Sequence, residues 1–415
     1  MKRFMTLVAT VALMTVPAPQ KSFASSTADE MYQIVVNKSL YSCTSNDIKS
    51  HIKLLKKNKQ PKLGDGFCFD GNAAFVSASR IEAQRAQSVG FDRSKYGAIP
   101  VALLDWNGDV VIAGIDKNSE AYRAGLRVGD VIDKVIVGKK DGRCRPRVEG
   151  KRNRPDAGEI SRCLSGPLGT QVSVTVEGKP EIALDRVAMD ATPSVFVEDN
   201  GDITYVRVTN FNKETVSELW SVFEGSRKII LDLRGNLGGD FRQVESFGVG
   251  FAKEPEEILV VQQMKDESKP ISKPVTAQMV MKSPEDIGRF GDTPVAVLID
   301  SETFSSGEIL AGMLKVLRSS EQKILLFGVE TYGKAQAQCW YPLSDGSYFK
   351  ATCMEIRVGA EKLRIHKDKL SPDVKIEDSR EYFVETTTAS DVQYVTALNW
   401  LRSRPTTTTV AALAQ

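Results

Sequence analysis

The stretch PVAVLIDSETFSSGEILAGML, residues 294–314, reads as a buried strand, a polar turn and a helix in direct succession. Its uninterrupted apolar opening fits a strand covered on both faces, as in a parallel sheet. Ile309, Leu310, Met313, Leu314 and Leu317 then recur at helical spacing and give the helix one apolar face. Between the two lies a turn rich in hydroxyls, at the carboxyl end of the strand, where open α/β sheets place their sites. Ser305 with Glu308 three residues on is also a capping-box pattern, which alone would only satisfy the first N–H groups of the helix.

Working outward, ITYVRVT (203–209), KIILDL (228–233) and KILLFG (323–328) are further apolar strands, and a helix is predicted near Lys213–Phe223. Strands alternating with helices imply a mostly parallel, largely buried sheet, an α/β core. KIILDLRGNLGGDF (228–241) puts a strand against Gly235, Gly238 and Gly239, whose lack of side chains lets backbone N–H groups approach an anion or a reacting oxygen. No Gly-Lys-Ser/Thr follows, so this is not a phosphate loop.

The whole chain holds two histidines, His51 and His366, and neither sits beside a plausible nucleophile. A Ser-His-Asp triad therefore fits poorly. GVETYGKAQAQ (328–338) offers Lys334 as the base instead. An ammonium cannot accept a proton, so this reading needs Lys334 neutral, held so by burial beside Tyr332, Gly333 and apolar neighbours. The N–H of Ser306 at a helix N-terminus and that of Gly238 are candidate oxyanion donors.

The 415 residues, 41% hydrophobic and 26% charged, suit a multi-domain soluble globular protein. The formal charge of +2 includes Lys2, Arg3 and Lys21, so the remainder is close to neutral and implies no nucleic-acid field. Those first residues read as a signal peptide over 1–24: Lys2-Arg3, an apolar run Phe4–Val16, and Ser22-Phe23-Ala24 as cleavage site. The run is shorter than the roughly 20 residues that span a bilayer, and no other segment is apolar enough to span one. Export to a periplasmic or extracellular space follows as an expectation. There Cys43, Cys68, Cys144, Cys163, Cys339 and Cys353 are an even set fit for disulfides. Connectivity stays open; proximity suggests Cys43–Cys68, Cys144–Cys163 and Cys339–Cys353, the last across a hairpin turn at Ser344-Asp345-Gly346-Ser347. No Cys-x-x-Cys or paired histidine favours zinc, and neither metal nor cofactor is expected.

Residues 25–90 carry polar helical patches such as AAFVSASRIEAQRAQSV (73–89). From Tyr96 the texture becomes short β runs, then NSEAYRAGLRVGDVIDKVIVG (118–138). Tyr96-Gly97-Ala98-Ile99, Ala124-Gly125-Leu126, Gly129-Asp130-Val131-Ile132 and GPLGTQVSVTVEG (166–178) resemble a PDZ domain, here over 91–188. PDZ modules add a peptide as an extra strand and hold its terminal carboxylate on backbone N–H groups, here those of Tyr96, Gly97, Ala98 and Ile99. A basic insertion, 138–162, reads either as a solvated loop stapled by Cys144–Cys163 or as a docking patch for an acidic partner, an envelope polymer or an adaptor.

Taken together, these motifs resemble the carboxy-terminal processing, or tail-specific, serine peptidases. The resemblance runs from about Tyr96 to Leu401 and rests on the PDZ run, Tyr205-Val206-Arg207-Val208 before Phe211, Leu231-Asp232-Leu233-Arg234-Gly235-Asn236 with Gly238-Gly239, Ser305 with Glu308, and Thr331-Tyr332-Gly333-Lys334. Asp345-Gly346-Ser347, Pro372-Asp373 and DVQYVTALNWL (391–401) extend it. It implies a crotonase/ClpP-like α/β peptidase core over 189–385 and a C-terminal helix and flexible tail over 386–415. It further implies Ser305 as nucleophile, Lys334 as general base and then acid, Gln338 positioning the lysine, and Gly238 and Ser306 N–H groups holding the oxyanion. Substrates would be proteins or peptides with free C-termini, or unfolded segments. The turn departs from the family's Ser/Ala alternation in reading Thr303-Phe304-Ser305-Ser306-Gly307-Glu308, which makes Ser306 a rival nucleophile. Val316 stands where an Asp is common, and Ala335 where a Gly is. In a regular strand, residues 334 and 338 would lie ~13 Å apart, so Lys334 must precede the strand for Gln338 to reach it. A non-catalytic PDZ scaffold on a degenerate core, and an esterase, are the competing readings.

Overall fold

The computed structural model describes residues 27–38, 49, 52–53, 74–78, 96–106, 109–115, 119–137, 157–188, 194–266, 269–318, 323–377 and 391–405. Residues 1–24, read above as a signal peptide, Cys43, Cys68, Cys144 and residues 138–156 of the basic insertion lie outside these.

At the N-terminal end, helix α1 (Thr27–Lys38) buries Met31 and Val35 against Leu343 and Phe349. The region read as helical contains a strand as well. β1 (Ala74–Val76) pairs antiparallel with residues 348–350, because the short apolar run AFV finds an open strand edge there, a partner that local periodicity does not reveal.

Residues 96–188 form their own apolar core, with Ile112, Ala121, Leu126, Val135, Val172, Val174 and Leu184 buried. Its elements are β2 (Tyr96–Ala98), β3 (Val101–Trp106), β4 (Asp109–Ile115), α2 (Glu120–Arg123), β5 (Ile132–Ile136), α3 (Ala157–Leu164), β6 (Gly166–Pro167), β7 (Gln171–Val176), β8 (Ile182–Asp185) and β9 (Val187–Ala188). Ser119 caps α2 through the Tyr122 N–H, and Gly125, at φ +109°, ends it as its sequence position predicts. The basic stretch is not loop throughout. Its last residues form α3, whose Ala157, Ile160, Cys163 and Leu164 enter the core at helical spacing.

The second unit holds β10 (Val195–Asn200), β11 (Ile203–Val208), α4 (Thr215–Gly225), β12 (Ile229–Asp232), α5 (Phe241–Gly248), β13 (Ile258–Asp266), β14 (Lys269–Thr276), α6 (Ala277–Val280), β15 (Val295–Ile299), α7 (Ser306–Leu317), β16 (Ile324–Gly328), β17 (Gln336–Pro342), β18 (Tyr348–Val358), β19 (Leu363–Arg364), β20 (Val374–Lys375) and α8 (Val392–Arg402). Its main sheet runs β10-β11-β12-β15-β16-β20, antiparallel at β10 and β11 and parallel from there on. Every residue of β12 and β15 is buried, since helices cover both faces. Ile229, Leu231, Val295 and Val297 pack with α4, α5 and α7 on one side. Ile230, Ala296 and Leu298 pack with Tyr394, Ala397 and Leu401 of α8 on the other.

A second sheet, β1-β18-β13-β14 with β17 and β19 also on β18, flanks this layer. Cys339 and Cys353 are disulfide-bonded across β17 and β18, with Cα atoms 5.7 Å apart. The register sets Ala351 opposite Cys339, and a bulge beside Gln338 brings Cys353 within reach diagonally. Cys163 is disulfide-bonded as well.

Candidate active site

Three loops meet at the carboxyl ends of β12, β15 and β16. The first is Leu233–Asp240, the second Asp300–Ser305, the third Val329–Ala335. Asp300, fully buried, ties the first two: its carboxylate accepts the Gly235 N–H at 3.0 Å and the Glu302 N–H at 3.1 Å. Thr303 Oγ1 lies 3.0 Å from Leu233 O, and the Phe304 N–H donates to Asn236 O at 2.9 Å.

The second and third loops are joined by Glu308, on the first turn of α7. Its buried carboxylate accepts four hydrogen bonds: the Thr331 hydroxyl at 2.6 Å, the Gly333 N–H at 2.6 Å, the Lys334 N–H at 2.8 Å and the Ser305 N–H at 3.0 Å. Of the capping-box pattern, the glutamate's half forms, its carboxylate accepting the Ser305 N–H. Yet the glutamate does more than start a helix, because it anchors the lysine loop to the serine turn. Burial pushes its carboxyl above the usual range, while the four donors pull it back toward the anion.

Ser305 itself, half-buried, adopts φ 55° and ψ −115°. A non-glycine residue there costs roughly 1–3 kcal/mol and persists only where surrounding contacts enforce it, as in the sharp strand-to-helix turns that expose nucleophiles. Ser306 is buried and its hydroxyl donates to Gly239 O at 2.8 Å. The two serines, of which the spacing to Glu308 favoured Ser305 as nucleophile, therefore face different surroundings.

Gly238, at φ +82°, sits directly against the serine; a Cβ on it would fall 2.7 Å from the Ser305 Cβ. Its N–H donates to Asn236 Oδ1 at 2.8 Å. Lys334 lies just before β17, as Gln338's proposed role demanded, and its Nζ is 4.5 Å from the centroid of the Phe304 ring. The residue as a whole is half-buried. The Gln338 side chain donates to Thr352 Oγ1 at 3.2 Å, on the paired strand.

The loop after β12 is fixed from behind by Arg234, which is fully buried. Its guanidinium donates to Asp232 at 2.7 and 3.0 Å, to Asp391 at 2.8 and 3.0 Å, and to Gln393 at 3.1 Å. Tyr205 donates to the same Asp232 at 2.7 Å. Burial alone would raise the Asp232 carboxyl, but Arg234 and Arg207 hold it below its ordinary value. Asp391 also caps α8, so the C-terminal helix and the glycine loop share one ionic knot. Arg234→Met is expected to strand two buried carboxylates and to lower stability by roughly 3–5 kcal/mol. Urea unfolding checks this; a loss under 1 kcal/mol would show the knot to be dispensable.

Residues 96–188 touch this machinery directly. Leu104 of β3 is buried, and its Cδ2 lies 2.8 Å from where a Cβ on Gly235 would be. Tyr96–Ala98, expected within a carboxylate-binding loop, is strand β2, paired with both β6 and β9, and the Ile99 N–H donates to Leu164 O at 3.4 Å. β3 pairs only with β4 among the described residues, leaving its other edge toward α3. No group of His, Cys, Asp and Glu suited to a metal ion occurs among the described residues.

Residues 202–376 match the family model for peptidase family S41. The match covers the α/β unit that carries all three loops of the site. The chain is 26% identical over 303 residues to the carboxy-terminal processing protease CtpA of Bacillus subtilis (strain 168), covering 70% of this chain and 59% of that protein. To the "Probable CtpA-like serine protease" of Staphylococcus aureus (strain N315) it is 25% identical over 278 residues, 65% of this chain and 51% of the relative. The chain thus spans about half the length of that relative. Among solved structures, the photosystem II D1 C-terminal processing protease shares the fold, with a TM-score of 0.50 and 22% identity over 85% of this chain and 92% of that one.

Proposed function

We propose that the chain is an exported serine endopeptidase that cuts protein C-terminal tails or unfolded segments with a Ser305–Lys334 dyad. The observation that carries this reading is the single buried Glu308 carboxylate bonded to the backbone N–H groups of both residues. It fixes the base's loop beside a strained serine turn, as a nucleophile and its base require.

In this mechanism the neutral Lys334 amine takes the Ser305 proton as Oγ attacks the peptide carbonyl. The developing oxyanion lies at the N-terminus of α7, where the Ser306 N–H and the helix dipole favour negative charge. Gly238 is the second donor once its N–H leaves Asn236 Oδ1. The Lys334 ammonium then protonates the leaving amine, and water, deprotonated by the same amine, releases the acyl group. Ser306, its hydroxyl bonded to Gly239 O, supports the helix start and not the attack. Gln338 acts at most through Thr352 in this conformation.

The 96–188 unit is in this reading a PDZ domain: a short capped helix, a left-handed glycine stop and a strand edge beside α3 provide its groove. Its contact through Leu104 on Gly235 lets tail binding bear on the catalytic loop. Among the described residues no helix is long and apolar enough to cross a membrane. The export signal before Ser25 completes the proposal.

The test is digestion of a reporter protein carrying an unstructured C-terminal tail. Wild type is expected to cut it with a rate that rises with pH through neutrality as the lysine loses its proton, and Lys334→Ala to lose about 10²–10⁴-fold. Tail binding without cleavage by wild type would favour the scaffold reading. Cleavage of ester analogues alone would favour an esterase.

A further inference from the structure

The dyad reading leaves one contact unexplained. The residue immediately before the serine is a phenylalanine, and the amine assigned as base lies 4.5 Å from its ring centroid. An aromatic face attracts an ammonium and not a neutral amine, so this contact favours the protonation state opposite to the one the chemistry uses. The ring is itself held in place. Phe304 stacks edge-on with Tyr332 at 4.8 Å between centroids, its N–H is bonded to Asn236 O, and the Tyr332 N–H is bonded to Thr303 O. Phe304 is thereby tied to the glycine loop and Tyr332 to the serine turn.

We propose that Phe304 is a positioning residue that seats the charged Lys334 side chain over its ring, holding the base in a resting form from which it must be released before it can take the Ser305 proton. The proposal rests on the Ser305–Lys334 reading given above. Other titratable groups lie on the elements packed against the lysine's loop. Glu308 of α7 accepts the Lys334 N–H, Tyr332 precedes it on the same loop, and the segment carrying His366, Lys367 and Lys369 packs behind Gly333. The ring is the element a single substitution removes without altering any formal charge.

Phe304→Leu keeps apolar bulk over the amine and removes the ring face, so it isolates the attraction from simple desolvation. Phe304→Tyr keeps the face and serves as the conservative rescue. The direct readout is the pKa of Lys334, followed by NMR in ¹³Cε-lysine-labelled protein on a Ser305→Ala background, with Lys334→Arg used to assign the resonance. Phe304→Leu is expected to lower that pKa by about half a unit, the shift that an attraction of this class supports, and Phe304→Tyr to leave it in place. In Ser305-containing protein the acid limb of kcat/KM for tail cleavage is expected to move down by the same amount. A purely structural role for Phe304 would lower the rate at every pH and leave the limb where it is.

An unchanged or raised Lys334 pKa in folded Phe304→Leu overturns the proposal, whatever the enzyme's activity. If that substitution does not fold, Phe304→Met, which is unbranched and also lacks a ring, is read by the same measurement and the same criterion. A lowered pKa in a protein without Ser305-dependent hydrolysis instead sinks the dyad reading, and with it the resting-base role, while the ring contact stands as measured.

Discussion

Ser305→Ala is expected to give a folded protein whose cleavage of a tailed reporter falls by on the order of 10⁴-fold or more. The side chain lost is small and half-buried, and the turn is held by backbone bonds that alanine keeps: Ser305 N–H to Glu308, Phe304 N–H to Asn236 O and Ile309 N–H to Ser305 O. Alanine has no lower strain cost at φ 55° than serine, so the thermal midpoint should move little. Tail-peptide affinity, assigned to the 96–188 unit, should be unchanged. Ser306→Ala is the natural companion, because it removes only the bond to Gly239 O and should cost far less turnover. If Ser306→Ala abolished activity and Ser305→Ala spared it, the nucleophile assignment would be reversed.

The second large effect belongs to Glu308. Glu308→Ala leaves four donors, the Thr331 hydroxyl and the N–H groups of Gly333, Lys334 and Ser305, without their acceptor in a buried place. Unsatisfied buried donors cost about 1–3 kcal/mol each, although relaxation and water entry limit the sum, so a destabilisation of roughly 3–5 kcal/mol is expected. Activity should fall by more than the unfolded fraction explains, on the order of 10²-fold at a temperature where the variant remains folded, because the lysine loop is then free to shift and a small misplacement is costly. Glu308→Gln separates the parts. It keeps the shape and one acceptor oxygen but turns an NH₂ toward donors, so it should retain most of the fold and lose most of the activity. Urea melts beside kcat measurements decide it: full activity in folded Glu308→Gln would reduce the carboxylate to a helix cap.

The elements of the fold differ in how strongly the local sequence marks them. β12, β15 and β16 are continuous apolar runs, and α7 has a wide apolar face, so their existence and order were plain from periodicity. The stop at Gly125 was equally local, since glycine is the residue that takes φ +109° without strain. The strand Ala74–Val76 was not legible, because three apolar residues become a strand only when another strand's edge is near. Nor was α3, whose apolar spacing is diluted by the arginines and acids around it until the core of the 96–188 unit selects Ile160, Cys163 and Leu164.

At the site, the pattern Ser-x-x-Glu was visible, but only as a cap. Nothing in its spacing says that the same carboxylate reaches Thr331, Gly333 and Lys334, since those bonds span 23 to 26 residues of chain. The bonds of Asp300 and Arg234 are hidden in the sequence for the same reason: their partners, Gly235 and Asp391, are distant along the chain.

The residue types and their order thus set the α/β core, the serine turn on a helix start and the lysine after a glycine, because these follow from side-chain size, polarity and local backbone preference. Which serine is strained and half-open, where Gly238 spends its N–H and what lies over the lysine's amine were decided by the tertiary structure alone. Hydrogen bonds and ring contacts act over a few ångströms, and only the folded sheet brings residues from separate loops within that range.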